Sequence, residues 1–206
     1  MLRLLVLGTG NRKKGQELGR LLARVGLELR TLADYPQAMD VVEDGGTFAA
    51  NAALKAVQQA RHLGQWVLAD DSGLMVDALD GAPGVLSARY SGPAATDADN
   101  NQKLLEALRD VPLDKRGAQF VCHICVADPS GAIRGESAAS CRGRILFASG
   151  GSGGFGYDPL FEIVEYHRTF GELSPLVKAH LSHRARAAAR IVPRLVELFD
   201  RKDQGG

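Results

Sequence analysis

The chain lacks any apolar stretch approaching the ~20 residues a helix needs to cross a bilayer. Met1 to Leu7 is apolar but too short for a signal peptide and no small-residue cleavage site follows it, so no cleavable leader is expected. A cytoplasmic location is the resulting expectation. Cysteine is scarce: Cys122, Cys125 and Cys141 are an odd three with no disulfide pattern. Charge of one sign is missing as well. The 25 Lys and Arg against 24 Asp and Glu leave a net charge of +1, which excludes a global field drawing the chain to nucleic acid or membrane. Any anion binding must come from a local cluster. The 206 residues, 45% apolar and 24% charged, are ordinary for a globular protein and suffice for one good-sized domain or two joined lobes.

What is present centres on Ala69-Asp70-Asp71-Ser72-Gly73. It follows Gln65-Trp66-Val67-Leu68, a short run with strand character. Two carboxylates where a buried strand should end are costly to desolvate unless a cation or fixed donors offset them. Asp, Ser and Gly are also common turn residues. The pentapeptide alone leaves turn and site open, with Leu74 to Leu79 expected as a separate strand.

Near the start, Leu2 to Leu7 reads as a buried strand, broken by Gly8-Thr9-Gly10-Asn11. Leu18, Leu21, Leu22 and Val25 have helical spacing, and Gly26 is a natural stop. A strand, glycine turn and helix start read either as a plain strand-to-helix turn or as an anion site, with free amides and the positive end of the helix dipole. Arg12, Lys13 and Lys14 oppose that dipole, which argues for an anionic ligand. The motif is neither a Walker A loop nor a full Gly-x-Gly-x-x-Gly, since Lys13 stands where the third glycine belongs. Leu27 to Leu32 reads as a second strand, and a polar loop to Gly46 carries Glu43 and Asp44. Thr47 caps a helix ending near Leu63 and Gly64, on which Asn51 and Lys55 share a face. A solvated face is the plainer reading of that pair.

Thr96 caps a helix bearing Leu104, Leu105 and Leu108, and Gly117 to Asp128 pairs with Ala132 to Leu146 as a hairpin. Cys122 and Cys125 have knuckle spacing, but residues three apart in a strand point to opposite faces, so packed core cysteines are expected. Five glycines in Gly150 to Gly156 allow close backbone approach to a ligand, and Phe155, Gly156, Tyr157 and Asp158 add aromatics able to stack on a flat base. Leu160 to Val164 reads as a closing strand. Ser182 is the expected N-cap of a terminal helix with His183 and Arg184 in its first turn, kinked near Pro193.

These pieces resemble the inosine triphosphate pyrophosphatase family. The resemblance rests on Thr9-Gly10-Asn11 with Lys14, Glu43 before Gly46-Thr47-Phe48, Asn51 with Lys55, and Ala69 to Gly73. It continues through Gly81 to Gly84, Ser87 to Gly92, Gly153 to Pro159, Lys178 and Ser182 to Arg184. The motifs run from residue 4 to about 190 in family order. Gly171 ahead of Glu172, and His180-Leu181 ahead of Ser182, depart from the family pattern.

The resemblance implies hydrolysis of noncanonical purine nucleoside triphosphates such as ITP, dITP and XTP to the monophosphate and pyrophosphate. It implies Asp71 as general base, and Mg²⁺ held by the hard oxygens of Glu43 and Asp71. Thr9, Gly10, Asn11, Arg12, Lys13, Lys14 and Lys55 would serve the phosphates, and Ser72 would also bind substrate. Phe155 and Tyr157 would cover the base and Lys178, His183 and Arg184 would donate to a 6-carbonyl, with Gly156 and Asp158 also binding substrate. The implied architecture is α/β: a long mixed sheet flanked by helices, two lobes with a substrate cleft between them, one domain over 1–200 with a disordered tail at 201–206, and a homodimer. A Maf-like pyrophosphatase with pyrimidine preference, a dinucleotide-dependent oxidoreductase and a non-catalytic nucleotide sensor are the rival readings.

Overall fold

A computed structural model describes residues 3–200; Leu2 and the expected tail at 201–206 lie outside the described residues. Strand β1 is Leu4–Leu7, and β2 is Glu28–Thr31, parallel to it with Leu4 opposite Glu28. Strand β3, Val67–Val76, pairs in parallel with β1 through Val6 and Leu7. Strands β4 (Gly117–Ala127), β5 (Ile133–Ile145), β6 (Phe161–Ile163) and β7 (Arg168–Thr169) complete a seven-stranded sheet in the order β2-β1-β3-β4-β5-β6-β7. The β5–β6 and β6–β7 pairs are antiparallel, so the sheet is mixed.

The helices start where side chains can satisfy their first amides. Helix α1, Arg12–Leu22, is capped by Asn11, and α2, Phe48–Leu63, by Thr47. A 3₁₀ turn, Ala23–Val25, extends α1 to Gly26, and α2 stops at Gly64. Both glycines hold φ near +60° to +75°, where a β-carbon would be strained. Helix α3, Asp97–Ala107, opens with a Thr96–Asp99 capping box. Helix α5, His183–Asp200, continues through Pro193. Helix α4, Pro175–Leu181, is not in the sequence expectation, although Ser174 before Pro175 is an N-cap followed by the N1 proline. No helix among the described residues is long and apolar enough to cross a membrane.

The chain folds as two compact units. One takes the described residues up to Asp71, Cys122–Ala139 and those from Arg184 onward; the other takes Ser72–Val121 and Ser140–His183. In the first unit, alternation along the strands supplies two cores. Leu7, Leu68 and Cys122 pack with α1 and with Ile191 and Leu195 of α5. Val67, Ala69 and Cys125 pack with Ala52, Ala56 and Ala60 of α2. The second unit has one core, built around Leu74, Leu104, Phe120, Phe161 and Phe170.

The main departure from the sequence expectation is β3. It is one ten-residue strand, with no turn at Asp70 to Gly73. The two carboxylates do not break it because each finds cations on its own side of the sheet, as described below.

The turn joining β4 to β5 is held by a single carboxylate. Asp128 Oδ1 accepts from Ser130 N (2.9 Å), Ser130 Oγ (2.6 Å) and Ala132 N (3.1 Å), and Oδ2 from Arg134 Nε (2.6 Å). Burial pushes its pKa up, but the donors from Ser130, Arg134 and Ala132 pull it down to about 2. Asp128→Ala is expected to cost about 1–3 kcal/mol near neutral pH, read by urea denaturation. The folded pKa lies below the unfolded one. The carboxylate's contribution is therefore full above about pH 4 and fades as pH falls toward 2, so the gap between variant and wild type should narrow in acid.

Candidate active site

The turn after β1 is built for capping. Asn11 Oδ1 accepts from Lys13 N (3.0 Å) and Lys14 N (3.2 Å), and Thr9 Oγ1 accepts from Asn11 N (3.2 Å). Three amides expected to face a ligand are thus already used within the turn. Gly10, Asn11, Arg12 and Lys13 are exposed, Thr9 and Lys14 half-buried. No acid stands in the first turn of α1. A cavity of about 530 Å³ opens beside it, lined by Thr9, Gly10, Asn11 and Arg12 together with Gln16 and Thr31.

Successive residues of a strand face opposite ways, and this separates Asp70 from Asp71. Asp71 shares the face of Val67 and Ala69, toward α2. Its Oδ1 accepts from Lys55 Nζ at 3.0 Å and its Oδ2 from Asn51 Nδ2 at 3.3 Å. Lys55 Nζ also donates to Glu43 Oε2 at 2.9 Å. Asn51 and Lys55 are both buried, so the solvated-face reading of that pair is corrected. Burial raises the Asp71 pKa and Glu43 adds to the rise, against Lys55 and Lys14. Burial also acts upward on Glu43, but Lys55 prevails and its pKa falls. Burial lowers the Lys55 pKa, and Asp71 and Glu43 more than reverse that. The cluster is two carboxylates bridged by one ammonium, with Asp71 as the more readily protonated acid.

Asp70 faces the other core. It is fully buried, accepts from Arg184 Nε at 3.1 Å, and lies 4.0 Å from Lys14 Nζ and 3.9 Å from Cys122 Sγ. Arg184 also donates to Glu17 of α1. Burial pushes the Asp70 carboxyl up, yet Lys14, Arg184 and Lys55 hold it well below the ordinary range. Arg184 is 1% exposed, so its guanidinium serves these two carboxylates. Glu17 had no sequence signal beyond lying three residues after Lys14 on one helix face. Burial raises the thiol pKa of Cys122 and pushes that of Cys125 to about 12, which leaves both inert as nucleophiles.

In the second unit, Ser72 is half-buried on β3. Asp158 organises the glycine-rich segment: Oδ2 accepts from Phe155 N at 2.8 Å and Lys178 Nζ at 2.5 Å. A β-carbon at Gly154 would sit 2.0 Å from that oxygen, so the close approach needs glycine. Lys178 Nζ lies 4.7 Å above the half-buried Phe155 ring. Gly156 N donates to Asp97 and Gly156 O accepts from Asn101, both on α3. Tyr157 departs from expectation: it is 3% exposed, packs in the core and donates its hydroxyl to Ser87 O at 2.9 Å. Its ring is thereby withdrawn from covering a base. The buried His183 ring stacks on Phe120 with centroids 4.8 Å apart.

Fold and site define an α/β protein that pairs a capped, lysine-rich helix start with an acid–lysine cluster on a central strand. The model of the Ham1 family matches residues 5–194, and the chain belongs to the Ham1 family. A protein named dITP/XTP pyrophosphatase from Rhodopirellula baltica is 58% identical over 94% of this chain and 93% of its own length. One of the same name from Desulforamulus reducens is 47% identical over 95% and 96%. The solved HAM1 protein of Coxiella burnetii superposes with a TM-score of 0.86 at 38% identity, covering 96% of this chain and all of that one.

Proposed function

We propose that this chain hydrolyses noncanonical purine nucleoside triphosphates, dITP, XTP and ITP, to the monophosphate and pyrophosphate. Membership of the Ham1 family and the names of its near relatives support the substrate class. The observation that carries the chemistry is the bridging of Asp71 and Glu43 by Lys55.

Among the described residues no three His, Cys, Asp or Glu side chains converge as a metal cage. Two carboxylates fit Mg²⁺ nonetheless, because this ion takes one or two protein carboxylates and completes its shell with water and substrate phosphates. Glu43 and Asp71 would hold it, and when bound it would neutralise phosphate charge and orient phosphate oxygens. Asp71, its pKa raised by burial, takes a proton from the attacking water as general base. Lys55 and Lys14 supply fixed positive charge for the polyanion, and the exposed Arg12 and Lys13 add to it. Asp70, already committed to Arg184 on the opposite face, acts as a support and leaves the base role to Asp71. Phe155 offers a face for a purine, and Lys178 a donor for its 6-carbonyl. A cytoplasmic homodimer is the assembly this reading carries, and light scattering reports its mass.

A nucleotide panel with pyrophosphate detection tests the reading. ITP, dITP and XTP should exceed ATP in kcat/KM by about 10²-fold or more, since the donor that meets a 6-carbonyl faces another donor in the adenine amino group. A ratio near unity, or a preference for pyrimidine nucleotides, overturns the assignment.

A further inference from the structure

Glu43 sits on a stretch with no regular secondary structure, residues 38–45, so something other than a ladder must hold its carboxylate against Lys55. The holding groups lie along one edge of α2. His62 Nε2 meets Gln37 O at 2.6 Å, and Gln59 Nε2 donates to Met39 O at 2.5 Å. Lys55 Nζ donates to Glu43 Oε2 at 2.9 Å, and Asn51 Oδ1 accepts from Gly45 N at 2.8 Å. The helix positions 62, 59, 55 and 51 fall as the loop positions 37, 39, 43 and 45 rise, so the segment runs back along the helix. At about 100° per residue these four side chains occupy an arc of about 80° and span roughly 16 Å of helix axis. A β-carbon at Gly45 would lie 2.6 Å from Asn51 Oδ1, so the last tether is also a close steric fit.

Two of the four tethers belong to the acid–lysine cluster. The other two do not touch it. Gln59 is 2% exposed, and its Oε1 has no hydrogen-bond partner among the described residues. A buried amide with one end unsatisfied lowers stability compared with an apolar side chain of similar shape. Its packing therefore does not account for it, whereas its bond to Met39 does.

We propose that Gln59, aided by His62, is a positioning residue for Glu43: the two side chains lace the upstream half of the loop to α2 and so set the carboxylate beside Asp71 and Lys55. This inference rests on the proposed metal-dependent hydrolysis for its consequence in turnover, but the lacing itself is independent of it. Groups that orient a metal-binding side chain typically alter metal affinity about 10- to 100-fold when removed.

The test uses Gln59→Leu, with His62→Ala as a second variant that changes only an exposed side chain. Three quantities are read: the thermal midpoint, the rate of Glu-specific proteolysis at Glu43 without nucleotide or metal, and the Mg²⁺ concentration for half-maximal pyrophosphate release from ITP. Gln59→Leu is expected to keep or raise the thermal midpoint, to speed cleavage at Glu43, and to raise the Mg²⁺ requirement about 10-fold. His62→Ala should shift the last two in the same direction by less. Unchanged cleavage in Gln59→Leu overturns the lacing whatever the activity. Faster cleavage with an unchanged Mg²⁺ requirement overturns the positioning role. A wild-type chain that releases no pyrophosphate from ITP defeats the functional reading, while the proteolysis still decides the lacing.

Discussion

Asp71→Asn is expected to abolish pyrophosphate release, lowering kcat by about 10³-fold or more, while nucleotide binding survives. A positioned general base contributes roughly 10²–10⁴-fold, and Asp71 also holds one of the two carboxylates proposed for Mg²⁺. Asparagine has the same shape and still accepts from Lys55, but it takes no proton. Lys55 keeps Glu43 at 2.9 Å, so the buried ammonium retains a charged partner and the variant should remain folded. Cations at Arg12, Lys13 and Lys14 are untouched, which is why binding of ITP, read by calorimetry, should persist. Turnover within tenfold of wild type, with the fold intact, would remove Asp71 from the chemistry.

Arg184→Met is expected to be the most destabilising single change on the other face of the strand. It leaves Asp70, fully buried, facing Lys14 at 4.0 Å and strips Glu17 of its guanidinium. Breaking a buried pair by removing one partner typically costs about 3–5 kcal/mol. Arg184→Lys should recover only part of this, because one ammonium does not reproduce a planar fork reaching two carboxylates. Asp70→Asn combined with Arg184→Met should cost less than the sum of the two, since no charge is then stranded at Asp70. The Asp70 pKa is depressed on folding, so its stabilisation is present above about pH 4 and lost as pH falls further. The penalty of Arg184→Met should shrink accordingly in acid. A urea midpoint equal to wild type at neutral pH would show that the network contributes nothing to stability.

Local chemistry explains which parts of the fold were legible. Helices α1 and α2 announce themselves through Asn11 and Thr47 at one end and Gly26 and Gly64 at the other, all effects within a few residues. The alternation of Cys122 and Cys125 between two cores follows from strand geometry alone. Strand β3 was misread because Asp-Asp-Ser-Gly has turn composition, and the groups that keep it extended lie far away in sequence: Lys55 16 residues from Asp71, Arg184 114 from Asp70. The same distance hid which cation each acid meets, although parity along the strand puts the two on opposite faces once the strand is continuous. Tyr157 was expected on a ligand face because of its neighbours, yet its hydroxyl has a buried carbonyl to satisfy at Ser87. The lacing of residues 37–45 left no trace in the sequence. Two of its acceptors are backbone carbonyls, which every residue type possesses.

The 114-residue separation of Asp70 and Arg184 also bears on how the protein is made. The first unit is assembled from three stretches of chain, and the last of them begins at Arg184. A nascent chain that has finished β3 and its α2 neighbour still lacks the guanidinium that Asp70 requires in the closed core. Pairing of such distant segments is slow and leaves apolar surface open in the interim. Completion of the first unit's core, where Asp70 meets Arg184, is therefore tied to the arrival of the terminal helix.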